Sequence, residues 1–306
     1  MSAFKWNSKS IINLELAKQC IQHPKSFLLK VDSIEFFGQG WDNVAFLVNE
    51  KYVFRFPRTQ EAELLLCDEN KVLPKLYSVV PLPIPKPIYF GKPTEIYPFH
   101  FHGYKMLTGT PAYRVNLSDD ALKECLKSLA QFLKQLHSIK AVQAQAMGAQ
   151  IQMHDKTKVQ LVIEYLQKRM EDIQQANIFE FDRAFIDDLI AQAKAVVIDH
   201  SDDCLVHGDL DYRHMLIEQN KLAGIIDWGD VGINHPVIDF AVVHGMFSKS
   251  MHEIFFQEYE IVNDDIWLYA KFLALHRAIT LMLYGHDIKD MKMFNAAKKS
   301  YERLKE

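Results

Sequence analysis

The sequence predicts an α+β fold in two lobes, a β-rich lobe over residues 1–107 and an α-rich lobe over residues 108–306. Three observations predict it. A chain of 306 residues is long for a single hydrophobic core. Strand-length apolar runs broken by turn residues dominate the part before Leu107. Beyond Leu107 the apolar residues recur at helical spacing instead. Thr108-Gly109-Thr110-Pro111, between the two patterns, is a natural hinge.

The elements follow in order. From about Ser8 to Cys20, Ile11, Ile12, Leu14, Leu16 and Ala17 stand at mostly helical spacing. Val31 to Phe37 alternates loosely and stops at Gly38, as a strand does on entering a turn. Val44 to Val48 reads as a buried strand, Asn49-Glu50 as a hairpin tip and Tyr52 to Phe56 as the return strand. Glu61 to Leu76 is a helix that ends before the proline-rich run from Pro81 to Pro87. Proline at that density forbids regular structure, because each ring fixes φ and removes a donor. Ile88 to Gly91 and Phe99 to Met106 complete the strands of the first lobe. In the second lobe, Ala121 to His137 carries Leu122, Leu126, Leu129, Leu133 and Leu136 on one stripe. Val159 to Ile173, Phe185 to Ile198 and Ile266 to Leu283 are further helices, with a small insert of strands around Cys204 to Asp227.

Composition bounds the class of function. Hydrophobic residues at 49% and charged residues at 24% describe an ordinary globular protein. A formal net charge of −4, with no long Lys/Arg run, argues against a nucleic-acid partner. No uninterrupted apolar stretch approaches the roughly 20 residues of a membrane span. Cys20, Cys67, Cys125 and Cys204 are scattered without metal-ligand spacing, which points to reduced thiols in a cytoplasmic protein. Met1 to Trp6 lack the apolar core of a signal peptide.

Chemistry concentrates in two acidic motifs. His207-Gly208-Asp209-Leu210 follows the apolar run Cys204-Leu205-Val206, and Asp227-Trp228-Gly229-Asp230 follows Ile225-Ile226. Phosphoryl transfer needs one carboxylate to orient or deprotonate an acceptor hydroxyl and another to hold the metal that neutralises the triphosphate. The pair resembles the aminoglycoside phosphotransferase family, kinase-like enzymes that phosphorylate small hydroxylated molecules. Phe37-Gly38-Gln39-Gly40-Trp41-Asp42-Asn43 is similar to that family's nucleotide loop, and Tyr52 to Arg58 to its following strand. Asp239, after Asn234-His235-Pro236, is similar to its closing acidic motif. The nearest flavour is the 2''-aminoglycoside and macrolide branch. The resemblance implies a protein-kinase-like fold, ATP or GTP as phosphoryl donor, and magnesium.

It also implies roles for single residues, each beside a plainer alternative. Asp209 is the expected catalytic base, against a simple turn aspartate. Asp227 is the expected magnesium ligand, because a carboxylate at the end of an apolar strand is costly to desolvate without a cation. His214 stands where such loops usually carry an asparagine ligand. It binds metal, contacts phosphate or only packs; magnesium prefers oxygen, which puts a second metal ligand in question. Asp230 is a supporting group or solvent-exposed. Arg55 takes the place of the phosphate-pairing lysine, with Arg58 as rival. Glu69 is its expected helix partner, with Glu61 and Glu63 as competitors. Gly38, Gly40 and Asn43 form a loop over the phosphates or a plain hairpin turn, with Asn43 in a place that tolerates a left-handed backbone. Lys105 and Met106, ending the last strand of the first lobe, offer backbone groups to a purine edge without distinguishing ATP from GTP.

For the acceptor, the acidic pairs Glu171-Asp172, Asp187-Asp188 and Asp264-Asp265 are candidates to meet a cationic sugar, or are solvated helix faces. Phe247, Trp267, Tyr269 and Tyr284 line an apolar cleft or belong to the core. Three readings follow: a kinase of an aminoglycoside or macrolide antibiotic, a kinase of a housekeeping metabolite alcohol such as a sugar or a choline-like or homoserine-like compound, and a pseudokinase that only binds nucleotide. Retention of both Asp209 and Asp227 favours the enzymes.

Overall fold

A computed structural model describes residues 12–23, 27, 29–153, 155–260 and 262–306. The chain divides into two compact units: Met1–Ser78 with Pro83–Leu107, and Val79–Leu82 with Thr108–Glu306. The first is strand-rich and the second helix-rich, the α+β class.

The first unit opens with helix α1 (Leu14–Gln22), whose first turn is closed by Asn13 accepting from Leu16 N at 2.9 Å. The expected start of this helix, Ser8 to Ile11, lies outside the described residues. Five antiparallel strands follow: β1 (Ile34–Gln39), β2 (Asn43–Val48), β3 (Tyr52–Pro57), β4 (Pro87–Gly91) and β5 (Phe101–Lys105). They pair in the order β1-β2-β3-β5-β4. The β2–β3 hairpin turns on Asn49 and Glu50 with φ of 52° and 54°. Two successive left-handed residues match the twist of the flanking strands. Val44, Phe46, Val48, Phe54, Phe56 and Phe101 form the core on one face, where the Phe56 and Phe101 rings stack with centroids 4.4 Å apart. Helix α2 (Gln60–Leu76) starts at Thr59, whose hydroxyl accepts from Ala62 N.

The second unit carries α3 (Asp119–His137), α4 (Ala141–Ala146), α5 (Val159–Gln175), α6 (Arg183–Ala195), α7 (Val237–Met246), α8 (His252–Tyr259), α9 (Asp264–Asp287) and α10 (Met291–Arg303). Its strands are β6 (Thr110–Pro111), β7 (Cys204–Val206), β8 (Met215–Glu218), β9 (Lys221–Ile225) and β10 (Gly232–Asn234). Strands β6-β8-β9 form one small sheet and β10-β7 another. The β8–β9 hairpin repeats the left-handed turn, at Gln219 and Asn220. Among the described residues α9 is the one helix long and apolar enough to cross a membrane, yet 61% of its apolar window is buried by its neighbours. It is apolar over most of its surface because α5, α6, α7 and α10 pack around it.

Six elements were not expected from the sequence: α4, α7, α8, α10, β6 and β10. Helix α7, Val-Ile-Asp-Phe-Ala-Val-Val-His-Gly-Met, is buried along its whole length and shows no polar stripe to reveal its period. Strands β6 and β10 are two and three residues long, too short for any alternation.

Candidate active site

Strand β7 runs into His207, Gly208 and Asp209, and the turn after it is held from below by one carboxylate. Asp239, in the first turn of α7 and fully buried, accepts from His207 N at 2.7 Å and Gly208 N at 2.9 Å. His137 Nε2 from α3 lies 3.1 Å from the same group. Gly208 has φ +86°, and a Cβ there would collide with Gln152 and the Asp230 carbonyl, so the position requires glycine.

The His207 ring ties the two acidic motifs together. Its Nε2 donates to the Ile226 carbonyl at 3.1 Å, which leaves Nδ1 to accept from Asp209 N at 3.3 Å. The ring also packs on Trp228, centroids 4.8 Å apart, and that indole donates to the Ile225 carbonyl at 3.1 Å. Asp227 thus emerges from the end of β9 beside Asp209. It has φ +65° and its side chain is about half exposed, at 49%.

Asp209 is surrounded by cations. Its Oδ1 receives Arg277 Nη1 from α9 and Lys156 Nζ, the latter at 3.4 Å. Its Oδ2 receives Arg213 Nη2 at 3.3 Å. Burial works to raise the Asp209 pKa, but the charges of Arg277, Lys156 and Arg213 outweigh it and hold the carboxyl well below its ordinary range. Asp211 is chelated by Arg213, with Nε at 3.0 Å from both oxygens and Nη2 at 2.6 Å from Oδ2. Despite its burial, the Arg213 charge brings the Asp211 pKa down to about 2. Asp230 behaves oppositely: burial raises its pKa, with Lys156 only partly compensating.

His214 joins Asp209 to Asp227. Its Nδ1 lies 2.7 Å from the Asp209 carbonyl oxygen, which cannot donate, so Nδ1 carries the hydrogen. Its Nε2 lies 3.3 Å from Asp227 Oδ2. In the neutral ring these are two acceptors face to face, a pair that a shared cation would hold together. The donor set therefore fits a divalent ion, with Asp227 as oxygen ligand and His214 as nitrogen ligand. Ligand atoms of Asp209, Asp211 and His214 also come within 4.8 Å of one another. That grouping suits a metal less well, because Arg213 and Arg277 already neutralise both carboxylates.

In the first unit, Arg55 on β3 donates to both Glu69 oxygens at 2.8 Å, and both side chains are buried. Of the competitors, Glu63 is bound instead to His100, whose N is 2.8 Å away. Arg58 is committed to the neighbouring turn: Nη1 donates to the Gly40 and Trp41 carbonyls at 2.8 and 3.2 Å, and its backbone N to Asp42 at 2.8 Å. It props the loop from within. Gly38 and Gly40 have open space where a Cβ would stand. Asn43 does not adopt the left-handed backbone allowed for it. It is the first residue of β2, paired with Pro57, because the sheet extends one residue further than expected. The Met106 amide, expected at the purine edge, donates instead to the Lys51 carbonyl at 2.8 Å. Lys105 pairs with Tyr52 and its side chain is exposed.

The acidic pairs take the plainer role. Asp172 meets Lys168 at 3.1 Å, Asp188 accepts from Gln192 at 2.6 Å, and Asp264 and Asp265 occupy the first turn of α9. Trp267 packs among His244, Phe255 and Phe256, and Phe247 is buried. The Tyr269 hydroxyl donates to the Lys156 carbonyl at 3.0 Å, fixing the segment that delivers Lys156.

Sequence reasoning missed Lys156, Arg213 and Arg277. Arg277 carries a signal in retrospect, a lone cation in the apolar run from Leu273 to Leu283. Lys156 carries none.

Comparisons with known proteins bear on the family and the fold. The model of the phosphotransferase enzyme family matches residues 33–273. An uncharacterised Bacillus subtilis (strain 168) protein, YcbJ, is 23% identical over 175 residues, covering 54% of this chain and 55% of that protein. An Escherichia coli aminoglycoside 3'-phosphotransferase is 37% identical over 68 residues, 21% of this chain and 25% of that enzyme. The chain thus spans about half the length of the first of these relatives and a quarter of the second. Among solved structures, a GDP and kanamycin complex of APH(2")-IIIa has a TM-score of 0.69 at 25% identity, with 94% of this chain and 98% of that one covered. Macrolide 2'-phosphotransferase MphH from Brachybacterium faecium has a TM-score of 0.61 at 18% identity, with 94% and 97% covered, a likeness of fold.

Proposed function

The chain belongs to the phosphotransferase enzyme family, and from that premise we propose that it moves the γ-phosphate of ATP or GTP to a hydroxyl of a small molecule. An aminoglycoside or macrolide antibiotic is the favoured acceptor class, from the solved structures it resembles. A housekeeping metabolite alcohol is the second reading. One observation carries the proposal: Asp209 is fixed at a strand end by Asp239 and His207 and linked through His214 to Asp227. A protein that only bound nucleotide has no use for that linkage.

Asp209 accepts a hydrogen bond from the acceptor hydroxyl and orients its oxygen towards the phosphorus. Its low pKa keeps it ionised at neutral pH, so its larger contribution is orientation, with the proton passing late. Asp227 and His214 would hold magnesium, which when bound neutralises charge on the phosphate oxygens. Residues 1–107 are assigned as the nucleotide-binding lobe and 108–306 as the lobe for catalysis and acceptor binding. Arg55, set by Glu69, is assigned to the phosphates, with the Gly38–Gly40 turn and Asn43 beside them. Lys105 and the Met106 carbonyl are left for the purine edge. The four cysteines, read as thiols, suit a cytoplasmic protein.

The test is an acceptor screen with ATP and GTP in separate reactions, read by mass. Gain of one phosphate on an aminoglycoside or macrolide is the expected result. Gain only on sugars or amino alcohols moves the assignment to the second reading, and nucleotide binding without transfer to any acceptor overturns both.

A further inference from the structure

We infer that Lys156 and Arg277 are catalytic cations that leave Asp209 and pass to the transferring phosphoryl group, a role that rests on the phosphotransferase reading above. Both sit on Asp209 Oδ1. An acceptor hydroxyl that bonds this oxygen must displace at least one of them, and a buried cation displaced from its anion needs another. The only anion that phosphoryl transfer brings to the acceptor oxygen is the phosphoryl group itself.

Apart from Asp209, neither has a close carboxylate partner. Arg213 is fixed by three side-chain contacts to Asp211 at 3.0 Å or less, so it stays and positions the loop. Arg277 reaches Asp211 only at 3.4 Å, and Lys156 has the neutral Gly208 carbonyl at 2.5 Å. Each nevertheless has a rigid base. Arg277 belongs to the buried helix α9, and the Lys156 backbone is bonded by the Tyr269 hydroxyl from the same helix. Nearby His276 has its pKa lowered to about 3 by burial and by Arg277, Lys156 and Arg169, so the ring adds no further charge beside these cations.

During transfer the acceptor oxygen forms a bond to the γ-phosphorus. The bond from that phosphorus to its bridging oxygen breaks, and the electron pair leaves on the nucleoside diphosphate. The acceptor proton goes to Asp209. Lys156 and Arg277 neutralise the equatorial oxygens, where negative charge spreads in the transition state.

The test uses the full chain, Lys156→Met and Arg277→Met, with calorimetric titration of the nucleoside diphosphate and magnesium, alone and with aluminium fluoride to mimic the transferring group. The parent should bind tighter with fluoride. Both variants should keep the diphosphate affinity within about threefold but lose the fluoride-dependent gain, and kcat should fall on the order of 10²–10³-fold with little change in nucleotide KM. Lys156, with a quarter-exposed side chain at 23%, carries the test alone if Arg277→Met fails to fold. Variants that keep the fluoride-dependent gain overturn the assignment while leaving the phosphotransferase reading intact. A parent that binds no nucleotide overturns that reading and the role of the two cations with it.

Discussion

Asp227 occupies a left-handed backbone conformation with φ +65°, which costs a residue with a side chain roughly 1–2 kcal/mol. Such strain persists only where the surroundings enforce it, and here it turns the carboxylate towards His214 Nε2. Asparagine tolerates the same backbone as aspartate. Asp227→Asn therefore removes the charge without disturbing the turn. The expected outcome is an unchanged melting temperature and a loss, on the order of tenfold or more, of the magnesium-dependent part of nucleotide affinity. Equal metal dependence in parent and variant would remove Asp227 from the metal site. At this scale the sequence was informative where a motif has a fixed local geometry: Arg55 and Glu69, Asp209, and Asp227 beside His214. It was silent on Lys156 and Arg277, which reach Asp209 from 53 and 68 positions away through tertiary packing.

The catalytic loop depends on α7 through one side chain. Asp239 accepts from two backbone amides of the loop and lies against His137, all of them buried. Removing it leaves two buried donors unsatisfied, each costing about 1–3 kcal/mol. Asp239→Ala should lower unfolding stability by about 3–5 kcal/mol, the usual cost of breaking a buried charged network. Denaturant unfolding checks this, and a shift below about 1 kcal/mol, the scale of a surface contact, would show that the loop holds its shape without α7. Asp239 was legible in the sequence as the end of a family motif, but the helix bearing it was not. A segment buried all round has no polar face, so periodicity cannot separate helix from strand. The long α9 was found because its apolar run exceeds strand length, whereas the short strands β6 and β10 exist only through their partners β8 and β7.

Across the whole molecule, buried titratable groups set an acid limit on stability. His102, His207, His235, His244 and His276 have pKa values lowered by burial. For these the unfolded chain binds protons first, so stability falls as pH drops below about 6.5. Asp209, Asp211 and Asp239 are held low in the folded chain by neighbouring cations and donors, despite the burial that works against it. Their contribution is present above the unfolded value of about 3.9 and is lost as pH falls through the folded values. Denaturant unfolding should therefore show lower stability at pH 5.5 than at pH 7.5, with a steeper loss below pH 4. A flat profile between 7.5 and 5.5 would mean that the histidines are charged or exposed in the folded chain.

The catalytic role of Asp209 is tested by single-turnover transfer of the γ-phosphate, compared between the parent chain and Asp209→Asn on the best acceptor. Asparagine keeps the shape and loses the charge that orients the hydroxyl. The expected result is transfer slowed on the order of 10²–10⁴-fold, with nucleotide affinity close to that of the parent. Transfer at the parental rate in Asp209→Asn would contradict it.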